Sequence, residues 1–562
     1  MRFFSIFFRI GCVLVSAQLF SLTLFAESRY SVMAETIIIN GKIFTGMDNP
    51  VWVEALAIQE EKINAIGTNQ EISSLKGPET RVIDLKGQLV LPGFNDAHLH
   101  MADGGFYLLG IDLRPAKDPH DFSQLIKTYS DTLPVGAWIT DGNWDHENWP
   151  VKKFPHKSLI DSITPNHPVL VQRLDGHIAL ANSLALKLAG VDKNTPNPQG
   201  GEIEHDELTG ELTGILKDNA IYLVSRVIPT TTMARRREAL ETAIQHALSL
   251  GVTSIQDNTS RDDFIIYQQL RRENKLPIRI NAWMSVDKWE TISQIGISAP
   301  FGDDYLRLGT IKLFADGSLG AGTALFFEPY DDDPSTRGIP IYSMEELTEL
   351  VLRIDSSGFQ IACHAIGDQA VHWLLNAYEK AQTTNPWRTN RRHRIEHAQS
   401  VTAADLPRFR DLGVIASIQP SHAIDDMRWA EKRIGERHWE AYRCASFFKA
   451  GVHLAFGTDW FVEPLNPLLG IYAAVTREAP EGGPVGGWHP QEKLSLEQAI
   501  RAYTQGPAYA EMQEYHKGTL VPGQLADLIV LDHDIFKTHP QQWLETKVVL
   551  TMVGGRVVYQ AP

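Results

Sequence analysis

The stretch LVLPGFNDAHLH, residues 89–100, is a β-rich run that ends in two histidines separated by one residue. On an extended strand residues i and i+2 face the same way, so His98 and His100 aim both imidazoles into one site while Leu99 packs on the other side. Seven more runs of this kind follow: VTSIQD (252–257), IRINAWMS (278–285), TIKLFADG (310–317), FQIACHA (359–365), HRIEHAQ (393–399), VIASIQP (414–420) and VHLAFGTD (452–459). Long helical patterns such as MARRREALETAIQHALSLG and MEELTELVLRIDSSG separate β-rich runs. Strand alternating with helix means a parallel sheet, and eight such strands predict an α/β protein built on a closed (β/α)8 TIM barrel. The chemistry of such a barrel sits at the C-terminal ends of its strands.

Outward from the barrel, residues 34–91 and 517–562 alternate short strands with turns, as in TIIINGKIF and GTLVPGQLADLIVLD. They are expected to pair as one composite β-sandwich domain formed by both chain ends, leaving 92–516 to the barrel. The stretch from about 101 to 250 is too long for one crossover and reads as an inserted subdomain arching over the barrel mouth.

Of the 562 residues, 43% are hydrophobic and 21% charged, with 42 Gly and 30 Pro, which is ordinary globular composition and excludes a disordered, collagenous or coiled-coil chain. A formal charge of −16 repels polyanions, so nucleic acid is not an expected partner. Cys12, Cys363 and Cys444 are too few and too scattered for a disulfide framework or a cysteine zinc site. Residues 1–26 are apolar apart from Arg2, Arg9 and a few small polar side chains, and read as a secretory signal peptide cleaved after Ala17 or Ala26. A secreted or periplasmic protein is expected, free of the membrane after cleavage. An uncleaved anchor is the alternative, although the apolar stretch is marginal for crossing about 30 Å of hydrocarbon. A homo-oligomer is compatible with the chain.

Five of the eight strands end in a residue able to hold a hard or borderline metal: His98 and His100, Lys312, His364, His397 and Asp459. Each alone has a plainer reading, Asp459 as a helix N-cap and His364 as a satisfied histidine beside Cys363. Their coincidence at matching strand ends points to a centre for one or two divalent ions, with zinc first and manganese, iron or cobalt also suited to the donors. An ammonium at Lys312 would be repelled there. Either it salt-bridges Asp316 or Asp368, or it is neutral and adds carbon dioxide to give a bridging carbamate. With the carbamate, His98, His100, Asp459 and one carbamate oxygen hold one ion, and His364, His397 and the other oxygen hold a second.

The motifs LPGFNDAHLH, IKLFADGSLG, HAIGDQAV, RIEHAQ, FGTDWFVEPLNP and GTLVPGQLADLIVLD together resemble the metal-dependent amidohydrolase superfamily, most closely its branch related to N-substituted formamide deformylase. The resemblance runs over nearly the whole chain after the leader. It implies a barrel with a composite β-sandwich, a metal centre at the six residues named, and hydrolysis of carbon–nitrogen bonds other than peptide bonds in small amide-type substrates. DGHIALANS (175–183) also resembles the branch and implies that His177 faces the substrate. TDGNWDHENW (140–149) keeps Trp144-Asp145 but carries Asp141 and Asn143 where the branch has a Gly- and Arg-containing turn. Trp144, Asp145, His177 and Trp460 are thus the expected substrate contacts, within a wider aromatic group of Phe106, Trp138, Trp149 and Phe461 near the mouth.

A water shared by two cations ionises near neutral pH, and the cations polarise the carbonyl. Asp459 is the expected proton shuttle and His177 the expected oxyanion donor. A phosphotriester or lactone hydrolase on the same barrel is a second reading, because the metal-activated water does not itself select the electrophile. A non-catalytic binding protein is a third.

Overall fold

The computed structural model describes residues 33–49, 51–146, 149–173, 178–198 and 201–562. The leader read at 1–26 and the substrate-facing histidine read at 177 lie outside the described residues.

Eight strands form the central sheet: β1 (Phe94–Leu99), β2 (Val252–Asn258), β3 (Arg279–Ser285), β4 (Leu306–Phe314), β5 (Gln360–Ala365), β6 (Arg394–His397), β7 (Ile415–Ile418) and β8 (Leu454–Phe456). Neighbours pair in parallel and in chain order from β1 to β8. Each falls on a run read as a barrel strand. The ring closes just beyond the last strand. The Asp459 amide donates to the His98 carbonyl at 2.7 Å, and the buried Asp96 carboxylate accepts from the Thr458 hydroxyl at 2.7 Å. The seam that shuts the barrel therefore also sets the position of Asp459.

Helices start where the sequence supplies caps. Ser260 and Asp263 form a reciprocal capping box on Arg261–Arg272, and Ser343 with Glu346 does the same on Met344–Ser356. Their apolar stripes join one large core with the strands, which includes Leu270, Val351, Leu374 and Phe409.

Both chain ends build the sandwich. A six-stranded sheet runs in the order Arg556–Gln560, Val548–Val553, Leu528–Leu531, Leu89–Pro92, Lys42–Phe44, Trp52–Val53. A four-stranded sheet drawn wholly from residues 34–84 faces it across a core containing Ile38, Leu56, Ile63, Val90, Leu528 and Val530.

The long segment after β1 begins and ends in helices that pack against each other, Met101–Leu109 and Met233–Ser249. A Cβ on Gly105 would lie 2.2 Å from the Ala239 carbonyl oxygen, and one on Gly104 would lie 2.4 Å from the Trp460 ring, so the Gly-Gly pair lets this helix sit down on the barrel. Between the two helices lies a separate six-stranded sheet spanning Ile111 to Asp218 with its own core of Phe122, Ile126, Ile139, Trp144, Val169 and Ile215.

Candidate metal centre

His98 is fully buried near the end of β1, and His100 follows the strand half-buried. His397 ends β6 with φ +71°, and Asp459, three residues after β8, has φ +57°. Left-handed backbone is costly for a side chain with a Cβ, and such residues cluster where geometry serves function. The Asp459 Oδ1 atom lies 3.2 Å from His100 Nε2 and 3.5 Å from His98 Nε2.

Around this group, the second nitrogen of each main imidazole is taken up elsewhere. His98 Nδ1 donates to Glu396 at 2.6 Å, His397 Nδ1 donates to the Gln419 side-chain oxygen at 2.8 Å, and His364 Nε2 donates to the Gly317 carbonyl at 2.9 Å. Each ring thereby turns its other nitrogen, an acceptor in this tautomer, toward the site, as metal ligation requires. Glu396 is itself fixed by Arg394, which also donates to the Ala97 carbonyl at 2.9 Å and to Ser417 at 2.6 Å.

The electrostatics favour the same donors. Burial, helped by the Lys312 charge, pushes His98 down to about 4, and burial with Lys312 does the same to His364. Burial pushes the Asp459 carboxyl up, but His98, His100 and His397 outweigh it and hold it well below the usual carboxylate range. Burial likewise raises Glu396, yet the Arg394 guanidinium and His98 bring it to about 2. His98 and His364 are thus held neutral by burial near an ionised carboxylate.

His98, His100 and Asp459 bring one donor atom each within 4.8 Å of one another, and so do His397, His422 and Asp459. Two buried atoms at this point, Asp459 Oδ1 and His422 Nε2, have no hydrogen-bond partner. Imidazole nitrogens and carboxylate oxygens converging on one point fit a divalent cation, and a set of imidazoles and one carboxylate suits zinc and its neighbours. His364 stands beside His397, ring centroids 4.5 Å apart, and lines the same cavity, where His422 joins His397 and Asp459 as a further candidate donor. His422, in the helix Pro420–Asp426 that follows β7, was not among the expected ligands. Its signal in the sequence is the histidine two residues beyond VIASIQP.

Lys312 is buried, with Nζ 3.1 Å from His98 Nε2, and burial lowers its pKa. The salt bridge offered as its alternative does not form. Asp316 accepts instead from the amides of Leu325, Ile366 and Gly367, and Asp368 accepts from the amide of Phe327.

The expected substrate contacts divide. Trp144 is fully buried in the core of the insert, its indole donating to the Val171 carbonyl at 2.9 Å, so it offers no surface to a ligand. Asp145 pairs with Arg173 at 3.0 Å. Trp460 is 3% exposed, wedged between Gly104 and His246, whereas the next residue, Phe461, is exposed. Both tryptophans hold the insert and its neighbouring helix in place. A cavity of about 380 Å³ opens above the metal donors, walled by Phe314, Leu319, Ile366, Trp429, Val462 and Glu463.

Histidines and an aspartate gathered at the C-terminal mouth of a (β/α)8 barrel define a metal-dependent hydrolase. The chain belongs to the amidohydrolase family, whose sequence profile matches residues 81–559, and it acts on carbon–nitrogen bonds other than peptide bonds. It is 34% identical to protein LONG AFTER FAR-RED 3 of Arabidopsis thaliana, over 94% of this chain and 92% of that protein. To the N-substituted formamide deformylase of Arthrobacter pascens it is 26% identical, over 94% of this chain and 99% of the deformylase. The crystal structure of a metal-dependent hydrolase from Pyrococcus horikoshii superposes with a TM-score of 0.75 at 32% identity, covering 90% of this chain and 99% of that one.

Proposed function

We propose that the protein releases amines from small N-substituted amides, N-formyl and other N-acyl amines, in the manner named for its deformylase relative. The observation that carries this reading is the convergence of His98, His100, His397, His422 and Asp459 beneath a cavity of about 380 Å³. Zinc is the first candidate, held by these residues with His364 alongside. When bound, a divalent ion polarises the substrate carbonyl and lowers the pKa of the attacking water.

The remaining roles fall to the chain itself. Asp459, ionised and with one oxygen unpaired, takes a proton from water and delivers it to the departing nitrogen. Glu396 holds the His98 ring in one tautomer, and Gln419 holds His397. Lys312, desolvated and without a carboxylate partner, is placed to be carboxylated, which would make it an anionic ligand between the two donor sets. His177 is assigned the substrate oxygen, and Asp145 a place at the substrate. The leader at residues 1–26 directs the enzyme to the periplasm or outside the cell.

Asp459→Asn in zinc-loaded protein, assayed on a panel of N-formyl and N-acetyl amines, tests the reading. Turnover is expected to fall by about 100-fold or more while the fold persists. Undiminished turnover with metal bound would remove the proton-transfer role. Preferential hydrolysis of phosphotriesters or lactones by the wild type would replace the substrate class.

A further inference from the structure

Beyond its histidine floor the metal cavity has an acidic wall, formed by Asp425, Asp426 and Glu463. Asp426 stands one turn after His422 on the same helix and accepts a hydrogen bond from the buried Tyr442 hydroxyl. The half-buried Glu463 carboxylate makes no hydrogen bond and no ion pair with any described residue. Burial pushes it up to about 7, and the charges of Asp426 and Asp459 add to the effect. Asp426 is raised to about 7 by burial as well, against the opposing Tyr442 bond. Nothing in the lining neutralises this pair. Lys312 is the one Lys or Arg among the described lining residues, and it lies against His98. Arg428, outside the lining, pairs with Asp425 at the surface, and its charge only partly opposes the rise at Glu463.

A second observation comes from a different element. Gln399, two residues past His397, also lines the cavity and is 5% exposed, and its side-chain oxygen is buried without a donor. An unpaired buried acceptor is destabilising, and a desolvated carboxylate beside another carboxylate more so, unless a ligand supplies the missing donors. The formal charge of −16 draws cations toward the cavity.

We propose that the substrate is an N-acyl amine carrying a second, positively charged nitrogen, an ammonium or guanidinium group that sits between Glu463 and Asp426 and donates to Gln399, while its acyl–nitrogen bond lies over the histidines and Asp459. This rests on the carbon–nitrogen hydrolysis described above. Water adds its hydroxyl to the acyl carbon and its hydrogen to the nitrogen, releasing a carboxylic acid and an amine with two basic nitrogens.

The test uses zinc-loaded full-length protein and two N-formyl alkylamines of equal chain length, one ending in an ammonium group and the other in a hydroxyl. A kcat/KM preference for the ammonium substrate of roughly ten-fold or more is expected, the size of one charge-assisted hydrogen bond. Glu463→Gln should erase that preference, lowering kcat/KM for the ammonium substrate by roughly ten-fold or more beyond its effect on the hydroxyl substrate. Asp426→Asn should act in the same direction. Equal or better turnover of the hydroxyl substrate, with Glu463→Gln altering both alike, overturns the proposal while leaving amide hydrolysis intact. If neither substrate turns over, the reading of the enzyme as a small N-acyl amine hydrolase fails, and calorimetry with the free alkyl diamine decides the pocket. Binding to the wild type that is lost in Glu463→Gln supports the cation site, and binding unchanged or absent in both proteins overturns it.

Discussion

The barrel buries a lysine at each mouth, and the two are treated in opposite ways. At the N-terminal mouth Lys517 pairs with Glu511 at 2.8 Å, and Glu511 also accepts from Asn95 at 2.6 Å. Close by, Arg279 meets Asp527 through two hydrogen bonds of 2.6 and 2.9 Å, with the Gly554 amide completing the carboxylate. At the C-terminal mouth Lys312 meets an imidazole and no carboxylate, and Asp459 and His422 keep unpaired atoms. One end of the same eight strands satisfies its buried charges within the protein, and the other holds them open for something that must be added. Stability is concentrated at the first mouth and chemistry at the second.

That difference would vanish if Lys312→Met and Lys517→Met behaved alike. Lys517→Met leaves Glu511 buried without its cation and is expected to cost about 3–5 kcal/mol in denaturant unfolding, with activity retained in the fraction that stays folded. Lys312→Met removes a desolvated charge that has no carboxylate to lose. Its stability is expected to hold or rise, while turnover falls by roughly 100-fold. Denaturation curves and rates on the same two proteins separate these outcomes.

Acid sharpens the contrast. His98 and His364 stand at about 4 in the folded protein, against about 6.5 in an unfolded chain. Between those values the unfolded chain binds more protons at these two sites, so their contribution to the stability of metal-free protein falls as pH drops from about 6.5 toward about 4, while the carboxyls of Glu463 and Asp426, raised to about 7, contribute with the opposite sign. Metal-loaded protein should lose its ion in the same window, because protons compete for the same lone pairs. Unfolding midpoints against pH, with and without zinc, provide the check. A metal-free profile left unchanged between about pH 6.5 and about 4 by His364→Gln would mean that this histidine is not held neutral by burial.

The barrel was legible because each strand is an apolar run of the right length and the helices between carry caps and stripes. The strand-end donors were legible because a parallel barrel brings residues far apart in sequence to one mouth. His422 escaped because it belongs to a helix turn behind Pro420 and not to the strand itself. Glu396 escaped because its place behind His98 is set by pairing between distant strands. For Trp144 and Trp460, proximity to a mouth in sequence does not reveal which face of the local backbone the ring takes, and both rings are buried in packing. Trp144→Phe should therefore give the smallest effect, a loss of about 1 kcal/mol for the missing hydrogen bond to Val171, with KM unchanged. A KM shift without a stability change would return Trp144 to the substrate site.

Bound metal and amide hydrolysis measured together, in the wild type as purified, after chelation, and after zinc is restored, address the centre of the account. Turnover is predicted to disappear with the ion and to return in proportion to the zinc bound. Full hydrolysis by protein stripped of metal would contradict it.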